Sequence, residues 1–459
     1  MNFFGKRRPN FLNNPARVIV SSFALLVLTG ALILTLPVCS QAGTFTDFFT
    51  TLFTATSASC VTGLIVVDTG TFWTPFGQGV ILSLIQLGGL GIVTFTTFFN
   101  MALRKRMALH TMQVASEQVS SINLFDARKL ISSILIITLS CEALGALLLS
   151  FTFVPQFGSD GIYYSVFIAI SSFCNAGFDP FGFMGQFSSL TSFANNPAVL
   201  LPVAALIIFG SLGFIVWHDL VMFHKNHRLM LHTKVVLVTT LILLVIGTFF
   251  VLIFEWHNPN TLGKMEFGDK VLNAFFQSTT TRTAGFNSID NGAMTSMSKM
   301  LSILLMFIGA APGSTGGGIK MTTFVVILMT VFSVIRNKNE TIVGKRRVTQ
   351  FTVYKAITVT TIAIFAVGIA TLTIYFTNDM SISEDIIGIN ALFESVSAFS
   401  TVGLTTGVTA VSNEISRVIL ILTMFLGRVG PISLALSITA NMSNKNKNKI
   451  IPEGKIIVG

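Results

Sequence analysis

The stretch Cys60-Val61-Thr62-Gly63-Leu64 returns three times in altered form, as Cys174-Asn175-Ala176-Gly177-Phe178, Arg282-Thr283-Ala284-Gly285-Phe286 and Ser400-Thr401-Val402-Gly403-Leu404. Ten residues before each glycine stands a phenylalanine (Phe53, Phe167, Phe275, Phe393). Six before it stands a hydroxyl residue (Ser57, Ser171, Thr279, Ser397). An acidic residue lies at or near the start of each preceding segment: Asp47, Asp160, Asp269 and Asp385. Four matches at one set of offsets make an internal repeat. The expected units are 1–110, 111–228, 229–345 and 346–459, with loops at 60–64, 174–178, 282–286 and 400–404.

Around these motifs the 459-residue chain is apolar, with 52% hydrophobic and only 10% charged residues. Soluble domains carry about 25% charge. A soluble enzyme, a disordered chain and a disulfide-stapled secreted protein are thereby excluded, and four scattered cysteines support no framework. The net charge of +10 does not point to nucleic acid, because the basic residues sit in short loops between apolar runs. Eight such runs stand out, at 17–38, 77–100, 130–154, 197–221, 235–255, 297–335, 356–376 and 415–439. Each is long enough to cross ~30 Å of hydrocarbon as a helix. The first follows Lys6, Arg7, Arg8 and Arg17 and could be mistaken for a signal peptide, but it is too long and has no A-x-A-like site after it. Most of the 29 lysines and arginines fall on one side if the amino terminus is cytoplasmic, so both termini are expected there.

Each unit therefore reads as span, short outer helix, glycine loop, span. The outer helix is too short to cross and return, and suits a re-entrant half-helix received by protein or a water-filled cavity. The fold class is an all-α polytopic membrane protein: four parallel span–pore-helix–span repeats, with eight transmembrane helices and four re-entrant pore helices around a central pore. Two spans per unit put all four loops on one side. Four helix C-termini and the carbonyls of Cys60, Val61, Thr62, Gly63, Cys174, Asn175, Ala176, Gly177, Thr283, Ala284, Gly285, Ser400, Thr401, Val402 and Gly403 then converge on one axis. Both features carry partial negative charge and suit a cation. Glycine fits a loop that must turn its carbonyls inward at φ > 0. A single such glycine could equally cap a helix in an ordinary outer loop.

At these motifs the chain resembles the Trk/Ktr/HKT superfamily of potassium translocators, over about residues 17–440. Ser400-Thr401-Val402-Gly403 also looks like the filter of tetrameric potassium channels. Lacking two further amino-terminal spans, the chain looks most like the bacterial KtrB-type membrane subunit. The resemblance implies potassium as transported ion, flux that can depend on sodium, a homodimer of pores in the bacterial plasma membrane, and a cytoplasmic KtrA-type ring of nucleotide-binding regulatory subunits. Gly63 at the first loop favours potassium, since sodium-preferring relatives tend to have serine there. An alternative is a sodium- and potassium-permeable or coupled secondary cation transporter.

The sixth run is overlong and broken by Gly309-Ala310-Ala311-Pro312-Gly313-Ser314-Thr315-Gly316-Gly317-Gly318, which cannot hold a regular helix. Gly313-x-x-x-x-Gly318 lacks the lysine and the strand of a phosphate loop. The resemblance makes this stretch an intramembrane gate; a mere kink is the plainer alternative. Arg428 lies inside the eighth run and must find partners in the protein interior. Equal spacing from the glycines sets it level with Ala310, and the family carries an arginine there. Arg282 is expected behind its loop, paired with Glu394. Glu142 also needs a partner, which the sequence does not name. No dinucleotide fingerprint occurs, so no nucleotide is expected on this chain, and no transition-metal site. With no H-E-x-x-H, no G-x-S-x-G and no paired intramembrane carboxylates, no enzyme activity is expected.

Overall fold

A computed structural model describes residues 15–91, 124–338, 340–344, 346–377 and 388–431. The described residues form fourteen main helices and one small hairpin. The helices are α1 (Pro15–Leu34), α2 (Phe48–Cys60), α3 (Pro75–Leu90), α4 (Leu124–Phe157), α5 (Asp160–Phe173), α6 (Pro197–Ser211) and α7 (Phe214–Asn226). They continue with α8 (Leu231–Glu255), α9 (Phe267–Thr280), α10 (Ser296–Phe307) and α11 (Met321–Ile335). The hairpin β1 (Ile342–Val343) and β2 (Arg346–Arg347) follows, then α12 (Gln350–Thr377), α13 (Ile389–Ser400) and α14 (Glu414–Val429).

Four helices are long and apolar enough to cross a membrane, lying in α1, α4, α8 and α12, and the bent pair α6–α7 makes a fifth if it is one span. α3, α10 and α11 are shorter apolar helices. The ends of the runs 77–100 and 415–439 lie outside the described residues, as do Asp385 and the unit boundary at 110. The run 197–221, expected as one membrane span, is bent by 95° between α6 and α7. The cause is the broken sixth run beside it. Gly213 sits at φ 88°, and the free groups at the break bond outward: Ala311 N donates to Ser211 O (3.1 Å) and Phe214 N to Gly313 O (2.9 Å). A helix can break at membrane depth when neighbouring protein takes up its backbone groups in this way.

The short helices α2, α5, α9 and α13 have 13, 14, 14 and 12 residues. Asp47 caps α2, its Oδ2 accepting from Thr50 N at 3.0 Å. Asp160 and Asp269 lie in the first turns of α5 and α9, where a carboxylate meets the positive helix end. Each short helix packs against the helices that flank it: α2 on α1 and α3, α5 on α4 and α6, α9 on α8, and α13 on α12 and α14. Lipid tails are as apolar as leucine, so close fit rather than water exclusion holds such helices together. The fit is extreme at Gly88 of α3, Gly210 of α6 and Gly427 of α14. A Cβ on them would stand 1.9, 1.9 and 1.7 Å from the carbonyl oxygens of Ser59, Phe173 and Phe399. Any side chain there would push α3, α6 or α14 off the C-terminus of its short helix.

Candidate functional site

The four motif loops leave the ends of α2, α5, α9 and α13. The residue two before each glycine is left-handed in every loop: Val61 (φ 57°), Asn175 (59°), Thr283 (74°) and Thr401 (51°). Val61, Thr283 and Thr401 are β-branched, for which this region is strained by about 1–3 kcal/mol. The glycines themselves lie at φ 94°, 70°, 81° and 91°.

The loops meet as a closed ring. A Cβ on Gly63 would lie 2.4 Å from Ala176 O, one on Gly177 2.7 Å from Ala284 O, one on Gly285 2.5 Å from Val402 O, and one on Gly403 2.0 Å from Thr62 O. Each glycine thus faces the carbonyl just before the next loop's glycine, in the order first, second, third, fourth, first. Asn175 and Thr283 hydrogen bond between the second and third loops at 3.3 Å.

Hydroxyl residues hold the loops from behind. Ser57 Oγ accepts from Gly63 N and Ser397 Oγ from Gly403 N, both at 3.1 Å, while Ser171 Oγ donates to Phe178 O at 2.7 Å. The third loop departs from the expected offsets. There Thr280, not Thr279, reaches the loop, donating to Phe286 O at 2.5 Å; Thr279 donates to Phe275 O within its own helix. Phe276 is fully buried and Phe275 only partly. The third unit is therefore one residue shorter between helix and glycine. The doublets Phe275-Phe276 and Thr279-Thr280 hid the shift in the sequence.

Directly against the ring lies the segment 308–320. Thr315 Oγ1 donates to Phe173 O (3.3 Å) and Gly210 O (3.1 Å), and Gly317 N donates to Thr401 Oγ1 (3.0 Å). A Cβ on Gly316 would lie 2.1 Å from Thr283 Oγ1, and one on Gly318 3.0 Å from Ser400 Cα. The segment closes on itself through Gly309 N to Ile319 O (2.8 Å), and Lys320 Nζ donates to Gly316 O (2.6 Å). Arg428, in the last turn of α14, donates from Nη1 to Thr315 O and from Nη2 to Gly88 O and to Gly89 O (2.9 Å). One guanidinium thus ties the broken segment to the end of α3. The recurring Gly88…Gly91, Gly210…Gly213 and Gly427…Gly430 spacing was the sequence signal for these contacts.

Glu394 is not the partner of Arg282. Its buried carboxylate accepts from Thr405 Oγ1 (2.5 Å), Thr406 N (2.9 Å) and Thr409 Oγ1 (2.6 Å), holding the chain that leaves the fourth loop. Arg282 is 1% exposed, and its three guanidinium nitrogens find no acceptor among the described residues. Glu142 meets Gln86 Nε2 at 3.2 Å and Cys174 Sγ at 3.9 Å. Outside the spans, Asp179 follows the second loop and accepts from Phe181 N at 3.0 Å. Burial pushes its carboxyl up to about 7; the Phe181 amide works against that rise, and the nearby Asp68 charge adds to it.

Residues 7–450 match the family model of TrkH, described as a cation transport protein. The chain is 38% identical to the Ktr system potassium uptake protein B of Bacillus subtilis, over 97% of both chains. It is 40% identical to the protein of the same name from Vibrio alginolyticus, over 91% of this chain and 90% of the other. It is 37% identical to the potassium/sodium uptake protein NtpJ of Enterococcus hirae, over 99% of both. The fold is similar to the crystal structure of the potassium transporter TrkH from Vibrio parahaemolyticus, with a TM-score of 0.70 and 16% identity over 97% of this chain and 88% of that one. A family-model match across nearly the whole chain, joined to full-length relatives well above 30% identity, means that this protein belongs to the TrkH family of membrane cation transporters.

Proposed function

We propose that this chain is the potassium-translocating pore subunit of a Ktr-type uptake system in a bacterial plasma membrane. The closed ring of Gly63, Gly177, Gly285 and Gly403 carries the reading. Backbone carbonyls from four loops, each behind a helix C-terminus, offer a dehydrating cation the partial negative charge that replaces its water. In this reading α2, α5, α9 and α13 are pore helices of four parallel repeats, eight spans surround the pore, and both termini are cytoplasmic. The segment 309–318, hydrogen-bonded to Phe173 at the end of α5 and to Thr401 of the fourth loop and packed on Thr283 of the third, obstructs the path as a gate, and Arg428 latches it.

The names of the relatives from Bacillus subtilis and Vibrio alginolyticus refer to a Ktr system, which supports partner components. We assign this chain a homodimer and a cytoplasmic nucleotide-binding ring, docked on the basic surface between Arg336 and Lys355. A second reading, permeation of both sodium and potassium, is favoured by the relative named a potassium/sodium uptake protein. Rubidium uptake into proteoliposomes, with sodium as competitor, tests both. Saturable rubidium uptake resistant to excess sodium supports the first reading, equal competition supports the second, and no rubidium uptake overturns both.

A further inference from the structure

The residue three before the glycine is Cys60, Cys174 and Ser400 in three loops and Arg282 in the other. At this position the side chain of two loops packs against a glycine of a neighbouring segment. Cys174 Sγ lies 3.4 Å from Gln86 Oε1 and 2.9 Å from where a Cβ on Gly89 would stand, and Ser400 Cβ lies 3.1 Å from that point on Gly318. In the third loop this position carries the full positive charge of Arg282. Its guanidinium is buried, with Nε, Nη1 and Nη2 all lacking acceptors among the described residues. The carboxylate expected to neutralise it, Glu394, is taken up by three threonines.

An arginine keeps its charge in proteins. Away from water that charge is poorly screened and acts over a longer range than at a surface. Three peptide units of 3.8 Å each limit its Cα to roughly 11 Å from that of Gly285. It also sits just beyond the C-terminus of α9, where it offsets the partial negative charge that the other three short helices present without such compensation. We propose that Arg282 is an affinity-setting residue of the ion path. Its charge opposes cation occupancy beside the third loop, so ions bind loosely and leave quickly. This rests on the ring being the ion site. A field of this kind acts equally on potassium and sodium, whereas the spacing of the ring carbonyls does not, so Arg282 sets affinity without setting selectivity.

The test compares Arg282→Gln, Arg282→Met and Arg282→Lys in the full chain. Apparent rubidium and sodium affinities are read from uptake into proteoliposomes and from cation-dependent thermal stabilisation in detergent. Neutral variants should bind both ions several-fold to about tenfold more tightly, the range for a unit charge roughly 10–15 Å away at an effective dielectric near 20. The rubidium-to-sodium ratio should stay constant, and Arg282→Lys should stay within about twofold of wild type. Unchanged or weaker affinity in folded Gln and Met variants overturns the proposal. So does an equal loss in the Lys and Gln variants, which marks a structural role. Failure of both neutral variants to fold also overturns it, because removing an unpaired buried charge should not destabilise the protein. Gly285→Ser, run alongside, separates the two readings. If it alters selectivity while the arginine variants are silent, the ring stands and the role of Arg282 falls; if both are silent, the ring assignment itself falls.

Discussion

A Cβ on Gly403 would stand 2.0 Å from the carbonyl oxygen of Thr62, so the last motif loop abuts the first with no room for a side chain. This contact closes the ring, and it is the tightest of the four; at Gly177 the corresponding gap is 2.7 Å. Serine at any of the four must displace a carbonyl and also strain a backbone at positive φ. Gly403→Ser should weaken potassium affinity most, by an order of magnitude or more, and Gly177→Ser least, with loss of discrimination against sodium in the same order. Uptake competition in proteoliposomes measures both. Four variants with wild-type affinity and selectivity would sink the filter assignment.

The segment 309–318 touches the end of α5 and the third and fourth loops but does not form them. Deleting Gly313 to Gly317 should therefore raise rubidium flux several-fold while leaving its ratio to sodium flux near wild type. Arg428→Gln removes the tie between Thr315 and the end of α3, and should act in the same direction more weakly. Flux through purified protein without a partner decides. If the deletion variant is folded but no faster than wild type, the segment is a kink and the gate lies elsewhere.

Asp179 gives a pH dependence of stability with a definite sign. Its carboxyl titrates near 7 in the fold, against about 3.9 in an unfolded chain. Between those values the folded state holds more protons, so this residue makes stability fall as pH rises from about 4 to 7, then level off. Asp179→Asn should remove that contribution. The variant should gain in melting temperature over wild type at pH 8 and lose the gain towards pH 4. A difference that stays constant across this range would show that Asp179 does not titrate there.

The clasp of Glu394 on Thr405, Thr406 and Thr409 makes a prediction about the fourth loop. Glu394→Ala leaves three donors without their acceptor, a loss of about 2–5 kcal/mol. Unfolding in detergent should move to lower temperature, and rubidium affinity should fall because the chain beyond Gly403 is released. Ala at the equivalent position of the first loop's helix, Thr54→Ala, should do far less, since Thr54 Oγ1 bonds only Thr50 O in its own helix. Equal effects from the two would remove the clasp from the account.

The fourfold recurrence, the apolar runs and the glycines at the loops were legible in the sequence because they obey local rules. A long apolar run must be helical in lipid, and a residue at positive φ is most cheaply glycine. The broken sixth run was legible for the same reason, since Gly309 to Gly318 holds too many glycines and a proline for a helix. The one-residue shift in the third unit was not, because Phe275-Phe276 and Thr279-Thr280 satisfy either offset and only packing selects Phe276 and Thr280. The bend at Ser211–Gly213 also escaped the sequence: its cause, the carbonyl of Gly313 and the amide of Ala311, comes from a segment about a hundred residues away. Partners of charged groups followed the same division. The sequence required that Glu142, Arg428 and Arg282 find partners in the protein, because lipid cannot satisfy them. Which groups do so was decided by packing: Arg428 reaches Thr315 and the end of α3, Glu142 meets Gln86 and Cys174, and Glu394 takes three threonines of its own unit, which leaves Arg282 without it.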